Sequence, residues 1–311
     1  LHCRVSVVLK EILMLKEKLI IGAVAGDIIG SVYEWHNIKT VDFDLFRHKS
    51  RFTDDSVLTL ATMDAILNQK NYTEIYQQFC RNYPHRGYGG RFRSWIHSEN
   101  PEPYNSFGNG SAMRVSPVGW YGNSIEEVMT EAKKSAEVTH NHPEGIKGAQ
   151  AVAAAIFLAR NGKSKEEIRS YIIDTFGKSN GGNSRLKLQN DGTIRVKNGH
   201  DDTDPEDQDE FLDYRLQRKI DEIRPYYTFD VTCEGSVPAA LLCFLESKDF
   251  ETAIRLAISI GGDSDTIACI TGGIAEAYYQ KIPDNIIKNV LEILPQELVK
   301  VIEDFSMKYR K

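Results

Sequence analysis

Apolar residues recur at three- and four-residue intervals along most of the chain, and this spacing predicts α-helices. Several of these stretches also begin with residues that favour a helix N-terminus, such as Ser124 three residues before Glu127, and Pro143. Because nearly every predicted element is helical, the pattern indicates an all-α fold. The predicted helices span 6–18, 20–35, 56–67, 73–82, 125–138, 143–160, 164–176, 237–246, 250–258, 266–279 and 284–308.

One polar stretch, residues 177–213, interrupts the helical pattern and ends in an acidic run. Four apolar residues alternate with polar ones around the Asp191-Gly192 pair, which predicts a β-hairpin. The alternating residues are Leu186, Leu188, Ile194 and Val196. We interpret 177–213 as a polar surface insertion in a single domain spanning 19–311, with residues 1–18 as an N-terminal extension.

Glycines recur every four residues at Gly22, Gly26 and Gly30 and so lie on one face of the first strongly apolar helix. A face without side chains allows the backbone of another helix to approach closely. In a membrane this spacing suggests dimerisation, but Asp27 and the shortness of the run favour a buried helix of a soluble protein.

Composition narrows the class of protein. A hydrophobic fraction of 41% and a charged fraction of 26% are ordinary globular values, and the net charge of −6 argues against a dedicated nucleic-acid binder. The five cysteines are widely spaced, which indicates reduced thiols and a cytoplasmic location. No apolar run approaches the roughly 20 residues that span a bilayer, so we expect no membrane partner. We also expect a monomer.

Two short segments each combine two carboxylates with two hydroxyl groups at the start of a helix: Thr53-Asp54-Asp55-Ser56 and Asp263-Ser264-Asp265-Thr266. Each segment is also compatible with a simple helix N-cap, which stabilises by about 0.5–2 kcal/mol. A cap needs only one such side chain, however, and paired carboxylates repel each other unless a cation neutralises them. Because hard divalent cations prefer oxygen ligands, the two segments together predict a site for one or two metal ions.

Three further segments contain candidate functional residues. The loop from Gly108 to Arg114 alternates glycines with small polar residues, which suits a phosphate cradle but also an ordinary turn. His140 precedes a helix that begins with proline, where it contacts a substrate or caps the helix. Glu34 follows the glycine-rich helix and is either an acid/base group or a solvent-exposed helix end.

These segments together resemble the ADP-ribosylglycohydrolase family. The resemblance rests on five segments that occur in the family's order within about residues 20–280: Gly22 to Glu34, Phe52 to Ser56, Gly108 to Arg114, Thr139-His140, and Gly261 to Thr266. It implies a compact orthogonal helical bundle that holds two divalent cations, Mg²⁺ or Mn²⁺.

The resemblance also implies a role for each matching residue. Glu34 would be the general acid/base, with Asp54 assisting it. The expected metal ligands are Thr53, Asp54, Asp55, Asp263, Asp265 and Thr266. The expected ADP-ribose contacts are Phe107, Gly108, Asn109, Gly110, Ser111, Ala112, Met113, Arg114 and His140.

The expected activity is metal-dependent hydrolysis of the glycosidic bond between ADP-ribose and an acceptor on a protein or a small molecule, with ADP-ribose as product. Arginine is the favoured acceptor, although the sequence does not choose the linkage. A metal-dependent phosphohydrolase is one alternative, which a parallel β-sheet would favour. A catalytically inactive ADP-ribose-binding relative is another, and the intact acidic residues argue against it.

Overall fold

The computed structural model describes residues 18–177 and 212–310, together with the backbone of 186–188 and 194–196. The described residues form fifteen helices and two short strands. The helices are α1 Gly22–Gly30, α2 Asp54–Asn68, α3 Tyr72–Asn82, α4 Gly90–Ile96, α5 Gly110–Met113, α6 Ser116–Tyr121, α7 Ile125–Glu137, α8 Pro143–Arg160, α9 Lys165–Phe176, α10 Ile220–Ile223, α11 Cys233–Glu246, α12 Phe250–Ser259, α13 Ser264–Tyr279, α14 Asp284–Ile293 and α15 Gln296–Tyr309.

The all-α prediction is confirmed. The two strands, β1 Leu186–Leu188 and β2 Ile194–Val196, pair antiparallel with Leu186 opposite Val196, which is the arrangement that the alternating residues predict. The remainder of the predicted insertion between 178 and 211 lies outside the described residues, as do the first seventeen residues, which hold most of the predicted N-terminal helix. Within the described part of the chain, no helix is long and apolar enough to cross a bilayer.

The prediction of one long helix over 284–308 is wrong, because α14 and α15 are separated by Leu294 and Pro295. Leu294 has an extended ψ of 139°, as expected where a proline ring disfavours helical geometry in the preceding residue. The first apolar helix is also shorter than predicted and ends at Gly30. Four short helices, α4, α5, α6 and α10, were not predicted, since four to seven residues are too few to show a helical period.

The glycine face of α1 packs directly against the backbone of α13, as the four-residue spacing predicts. A methyl group placed on Gly26 would lie 2.0 Å from the Ala268 carbonyl oxygen, and one on Gly30 would lie 2.5 Å from the Asp265 Cα atom. Both distances are far below van der Waals contact, so only glycine allows the two helices to approach this closely. The contact brings the C-terminal end of α1 beside the N-terminal end of α13.

Helix α13 lies at the centre of the molecule and packs against α1, α8, α11 and α12. Helix α8 packs in turn against α6, α7 and α9, and α15 packs against α2. Almost every residue of α13 is buried, including the polar residues of its first turn. The first turn of α13 therefore lies in the interior, where its carboxylate is partly shielded from water.

A buried ion pair holds the N-terminal end of α1. Glu276 on α13 is fully buried and accepts hydrogen bonds from the backbone N–H of Gly22 at 2.7 Å and of Ile21 at 3.1 Å. Arg310, which follows α15, donates to the same carboxylate at 2.7 Å. The carboxylate thus caps α1 and fixes the end of the described chain to the central helix.

We predict that Gly26→Ala destabilises the protein by about 1–3 kcal/mol or more, because its methyl group forces α1 away from α13. Urea unfolding followed by circular dichroism measures this change. Gly90→Ala is the matched control, since a methyl group there meets no atom within 4 Å, and its unfolding midpoint should change little. Equal midpoints for the two variants would contradict the tight α1–α13 contact.

Candidate active site

The two predicted acidic segments come together in the folded chain, joined by carboxylates from α1 and from the turn after it. Oxygen atoms of Asp27, Asp55 and Asp265 lie within 4.8 Å of one another. Oxygen atoms of Glu34, Asp263 and Asp265 form a second group of the same size. Because Asp265 belongs to both groups, the carboxylates form one continuous cluster.

Asp27 fixes the turn that opens α2. Its carboxylate accepts hydrogen bonds from the Thr53 backbone N–H at 2.9 Å, the Thr53 hydroxyl at 2.6 Å, the Ser56 backbone N–H at 3.1 Å and the Ser56 hydroxyl. Thr53 is the N-cap residue of α2. The cap is thus used to orient Asp54 and Asp55, which occupy the first helical turn.

The second acidic segment is oriented by its own hydrogen bonds. Asn109 donates to the Asp263 carboxylate at 2.7 Å, and the backbone N–H of Thr266 donates to Asp265 at 3.1 Å. The Thr266 hydroxyl donates to Asp55 at 3.2 Å and so connects the two segments directly. All six predicted metal-binding residues line the cavity, and all of them except the half-buried Asp54 are buried.

Glu34 is held next to Asp263 by the side chain of Asn37. The Asn37 amide nitrogen lies 2.8 Å from the Tyr33 carbonyl oxygen and 2.9 Å from the carbonyl oxygens of Glu34 and Gly262. Its amide oxygen accepts from the Gly262 backbone N–H at 2.8 Å. Gly262 has a φ of +76°, which glycine adopts without strain. Asn37 therefore ties the Glu34 turn to the turn that leads into α13.

Burial and mutual repulsion raise the pKa values of the carboxyl groups in the cluster. Burial, followed by the charge of Asp263, raises the pKa of Glu34 to about 7, and burial, followed by the charge of Asp27, raises the pKa of Asp54 to about 8. Burial also raises the pKa values of Asp55 and Asp265 well above the usual range.

One carboxylate oxygen in the cluster, Oδ1 of Asp55, is buried and has no hydrogen-bond partner. Leaving a buried acceptor unpaired is costly, and a bound cation removes that cost. The two groups consist only of carboxylates, without histidine or cysteine, and this donor set suits Mg²⁺ or Mn²⁺. The residues present therefore fit the divalent cations that the family resemblance implies.

The cluster lies in a cavity of about 550 Å³. The predicted ADP-ribose loop borders the same cavity through Asn109, Gly110, Met113 and Arg114, and His140 lines it from the α7–α8 junction. Four other predicted contact residues lie elsewhere. Phe107 and Gly108 are not among the residues that line the cavity. The buried Ser111 and Ala112 belong to α5, where the Ser111 hydroxyl donates to the Gly145 carbonyl at 2.7 Å.

His140 lines the cavity and is hydrogen-bonded through Nδ1. Arg114 donates to the Thr139 hydroxyl oxygen at 2.9 Å, and that hydroxyl lies 2.7 Å from Nδ1 of His140. Arginine is only a donor, so the Thr139 hydroxyl accepts from Arg114, and it donates to Nδ1 or accepts from it according to the tautomer of the ring. Burial, followed by the charge of Arg114, lowers the His140 pKa well below its usual value. Nε2 approaches Gly110, where a methyl group would lie 3.2 Å away.

Arg114 itself lies beneath the loop and is fully buried. Its guanidinium also donates to the Ser135 carbonyl at 2.7 Å and lies 4.4 Å from the centre of the Tyr76 ring. These contacts hold the guanidinium at the base of the cavity that the loop borders.

Sequence reasoning did not include Asp27 among the site residues, although Asp27 is the central acceptor of the first turn. The available signal was its position as the lone acid in an otherwise apolar and glycine-rich helix. Two exposed aromatic residues, Trp35 and Phe229, were also missed. Neither belongs to a pattern, since they come together only when the turn after α1 meets the loop before α11.

Comparison with known proteins agrees with this geometry. A family model described as ADP-ribosylglycohydrolase matches residues 17–311. The chain belongs to the ADP-ribosylglycohydrolase family. The match begins close to the predicted domain start and includes every residue of the carboxylate cluster.

Individual relatives are distant but extend over most of the chain. Mouse ADP-ribosylhydrolase ARH3 is 26% identical, covering 92% of this chain and 91% of the relative. Human ADP-ribosylhydrolase ARH3 is 27% identical, covering 85% of each. ADP-ribosylarginine hydrolase Tri1 of Pseudomonas putida is 25% identical, covering 84% of this chain and 69% of the relative.

A solved structure named as an ADP-ribosylglycohydrolase-related protein complex shares the fold. Its TM-score is 0.63 at 20% identity, with 94% of this chain and 97% of that chain covered. This likeness shows that the chain has the same fold as that structure. The relatives are named either ADP-ribosylhydrolase or ADP-ribosylarginine hydrolase, so their names do not identify one substrate for this chain.

We predict that Mn²⁺ or Mg²⁺ raises the melting temperature, and that the increase is larger at pH 8 than at pH 5. The native carboxylates have raised pKa values, so the metal-free fold binds more protons than the unfolded chain. The free energy of unfolding of the metal-free protein should therefore fall as the pH rises from about 4, where carboxyl groups titrate in the unfolded chain, to about 8, where Asp54 titrates in the fold. A cation at 100 times its Kd should restore about 2.7 kcal/mol of unfolding free energy. Differential scanning fluorimetry detects this change as a rise in the melting temperature.

The control in that experiment is the same pH series in EDTA. A melting temperature that is independent of cation at pH 8, or a cation effect that shrinks as the pH rises, would contradict a buried carboxylate site for divalent cations.

Proposed function

We propose that the protein is a divalent-cation-dependent hydrolase that cleaves the glycosidic bond between ADP-ribose and an acceptor side chain, with arginine the favoured acceptor, and releases ADP-ribose. The observation that carries this proposal is the position of Glu34. Its carboxylate belongs to the carboxylate cluster and also faces a cavity that is bordered by the Gly108 to Arg114 loop. One cavity thus offers a proton-transfer group, a cation site and a loop suited to a diphosphate.

The bond to be broken joins the anomeric carbon of the ribose next to the diphosphate to a nitrogen or oxygen of the acceptor. Its hydrolysis passes through a state with oxocarbenium character. Divalent cations held by Thr53, Asp54, Asp55, Asp263, Asp265 and Thr266 would supply orientation of the ribose hydroxyls and polarisation of a water molecule. The remaining contributions come from the side chains of this chain.

Glu34 is suited to general acid/base catalysis, because a carboxyl group with a pKa of about 7 exchanges its proton near neutral pH. In its protonated form it can donate to the leaving nitrogen or oxygen, and in its ionised form it can accept a proton from water. Asn37 holds the backbone of this residue beside Gly262, which fixes the position from which the Glu34 side chain reaches the cluster.

The loop side of the cavity provides hydrogen-bond donors for an anionic ligand. Nε2 of His140 lies beside Gly110, and a neutral ring with its proton on Nε2 would act as a donor without adding charge. Asn109 borders the cavity while bonding to Asp263, so the position of the loop depends on the carboxylate cluster. A diphosphate and its adjoining ribose can therefore be recognised together.

Two alternatives make different predictions. A parallel sheet would favour the phosphohydrolase alternative, and the strands in the described part of the chain are one antiparallel pair far from the carboxylates in sequence. The inactive-relative alternative requires loss of a chemical group, but Glu34 and all the carboxylates are present. The first alternative predicts phosphate release, and the second predicts binding of ADP-ribose without turnover.

We predict that Glu34→Gln lowers kcat by at least about 100-fold, because the amide cannot exchange a proton. The Kd values for Mn²⁺ and ADP-ribose should change less than about threefold, since the variant is isosteric and only one carboxylate of the cluster is lost. Chromatographic measurement of released ADP-ribose gives kcat, and calorimetry gives both Kd values.

Glu234→Gln is the matched control. Glu234 also has a pKa raised to about 7, mainly by burial, but it does not line the cavity. This variant should keep wild-type turnover. Wild-type turnover in Glu34→Gln would remove Glu34 from the mechanism.

We further predict that a panel of arginine-, serine- and nucleotide-linked ADP-ribose conjugates contains at least one substrate, and that EDTA abolishes its cleavage. Mn²⁺ or Mg²⁺ added in excess over EDTA should restore the activity, whereas K⁺ should not, because the carboxylate cluster requires a divalent ion. Release of inorganic phosphate in place of ADP-ribose would support the phosphohydrolase alternative. Cleavage that is insensitive to EDTA would contradict the requirement for a cation.

A further inference from the structure

Two aromatic side chains stand exposed at the mouth of the cavity. Trp35 is 71% exposed and Phe229 is 43% exposed, and their rings stack with centroids 5.4 Å apart and planes 25° apart. Both side chains line the cavity. The pair therefore offers a flat apolar surface to a ligand instead of contributing to the core.

The location of the pair assigns it to one end of the substrate. Trp35 directly follows Glu34, whereas the proposed diphosphate contacts, Gly110 and His140, lie on the loop side. A ligand with its diphosphate on that loop and its ribose beside the carboxylates directs its glycosidic bond toward Glu34. The group beyond that bond, which is the acceptor, then lies next to Trp35.

Hydrogen bonds to the backbone hold the segments that carry the two rings. Lys39, four residues after Trp35, donates to the Tyr227 carbonyl oxygen at 2.6 Å, two residues before Phe229. On the other side of Phe229, the Val231 carbonyl oxygen accepts from the Asn109 backbone N–H at 2.8 Å. These hydrogen bonds hold the backbone on both sides of Phe229, and the two rings contact each other by stacking.

The charges around the pair favour a cation. Asp263 lies on the cluster side of Trp35, and the ring face of tryptophan is itself attractive to positive charge. Arg51, Arg86 and Arg91 also line the cavity, but Arg86 lies over the Phe52 ring and Arg91 over the Tyr104 ring. Arg51 acts on Glu34, and its side chain is exposed. A guanidinium group is planar, weakly hydrated and permanently charged, so it matches both the flat surface and the local charge.

Building on the proposed hydrolase function, we propose that Trp35 and Phe229 form the acceptor subsite, and that this subsite selects a guanidinium-linked acceptor by stacking it on the indole ring. A serine-linked acceptor presents neither a plane nor a charge at the same position. Trp35 is therefore a specificity-determining residue, and its effect should depend on the linkage.

The test measures the Kd values of two ADP-ribosylated peptides that differ only in carrying an arginine or a serine linkage. Binding is measured in the presence of Mn²⁺ on the Glu34→Gln background, so that the substrates are not consumed. Adding Trp35→Leu should weaken the arginine-linked peptide about tenfold and the serine-linked peptide less than about twofold, because leucine keeps apolar volume but lacks a ring face. Trp35→Phe should recover most of the loss.

Two controls make the result specific. Tyr226→Ala removes an exposed aromatic ring that does not line the cavity, and it should leave both Kd values unchanged. The Kd of free ADP-ribose should be the same with and without Trp35→Leu, because the acceptor is absent.

Equal weakening of the two peptides, or weaker binding of free ADP-ribose, would overturn the assignment, since it would show general packing or an adenosine contact. A wild-type protein that cleaves neither peptide would contradict the proposed function, while the ratio of the two Kd values would still decide whether this subsite recognises guanidinium.

Discussion

The close contact between α1 and α13 is the constraint on which the candidate site depends. Gly26 and Gly30 allow the two backbones to approach within distances that exclude even a methyl group. Asp27 lies on α1 between these glycines, and Glu34 follows shortly after the helix ends, so both carboxylates arrive beside the first turn of α13. The buried Glu276–Arg310 pair fixes the other end of α1. The close packing of the α1 glycines against the α13 backbone therefore brings together carboxylates that are distant in sequence.

The same packing creates an electrostatic cost. Carboxylates gathered in a buried site raise each other's pKa values, and Asp55 keeps an oxygen without a partner. Hydrogen bonds from Thr53, Ser56 and Thr266 offset part of this cost, but neutral donors do not cancel the net charge. A divalent cation does cancel it, which gives the fold a physical reason to bind metal. The stability of the site and its chemistry are thus linked through one interaction.

Much of this arrangement follows from the sequence, because the relevant signals are local. Helical periodicity predicts the long helices, the glycine spacing predicts the α1 contact, and the doubled acids predict four of the carboxylates. Asp27 was missed because a lone acid in an apolar helix signals a buried polar role but does not identify its partners, which come from the distant Thr53 and Ser56. The Trp35–Phe229 stack and the Arg114–Thr139–His140 relay depend on tertiary contacts between distant segments, so no spacing along the chain indicates them.

The central claim is that the two acidic segments bind divalent cations jointly, beside Glu34 and the glycine-rich loop. The most direct measurement is a crystal structure with Mn²⁺ and ADP-ribose, using anomalous scattering to locate manganese. The account predicts two anomalous peaks between the α2 and α13 N-termini, coordinated by Asp55 and Asp265, with the ribose beside them and the diphosphate on the Gly108 to Arg114 loop. Manganese found only on exposed carboxylates, with ADP-ribose bound elsewhere or not at all, would contradict it.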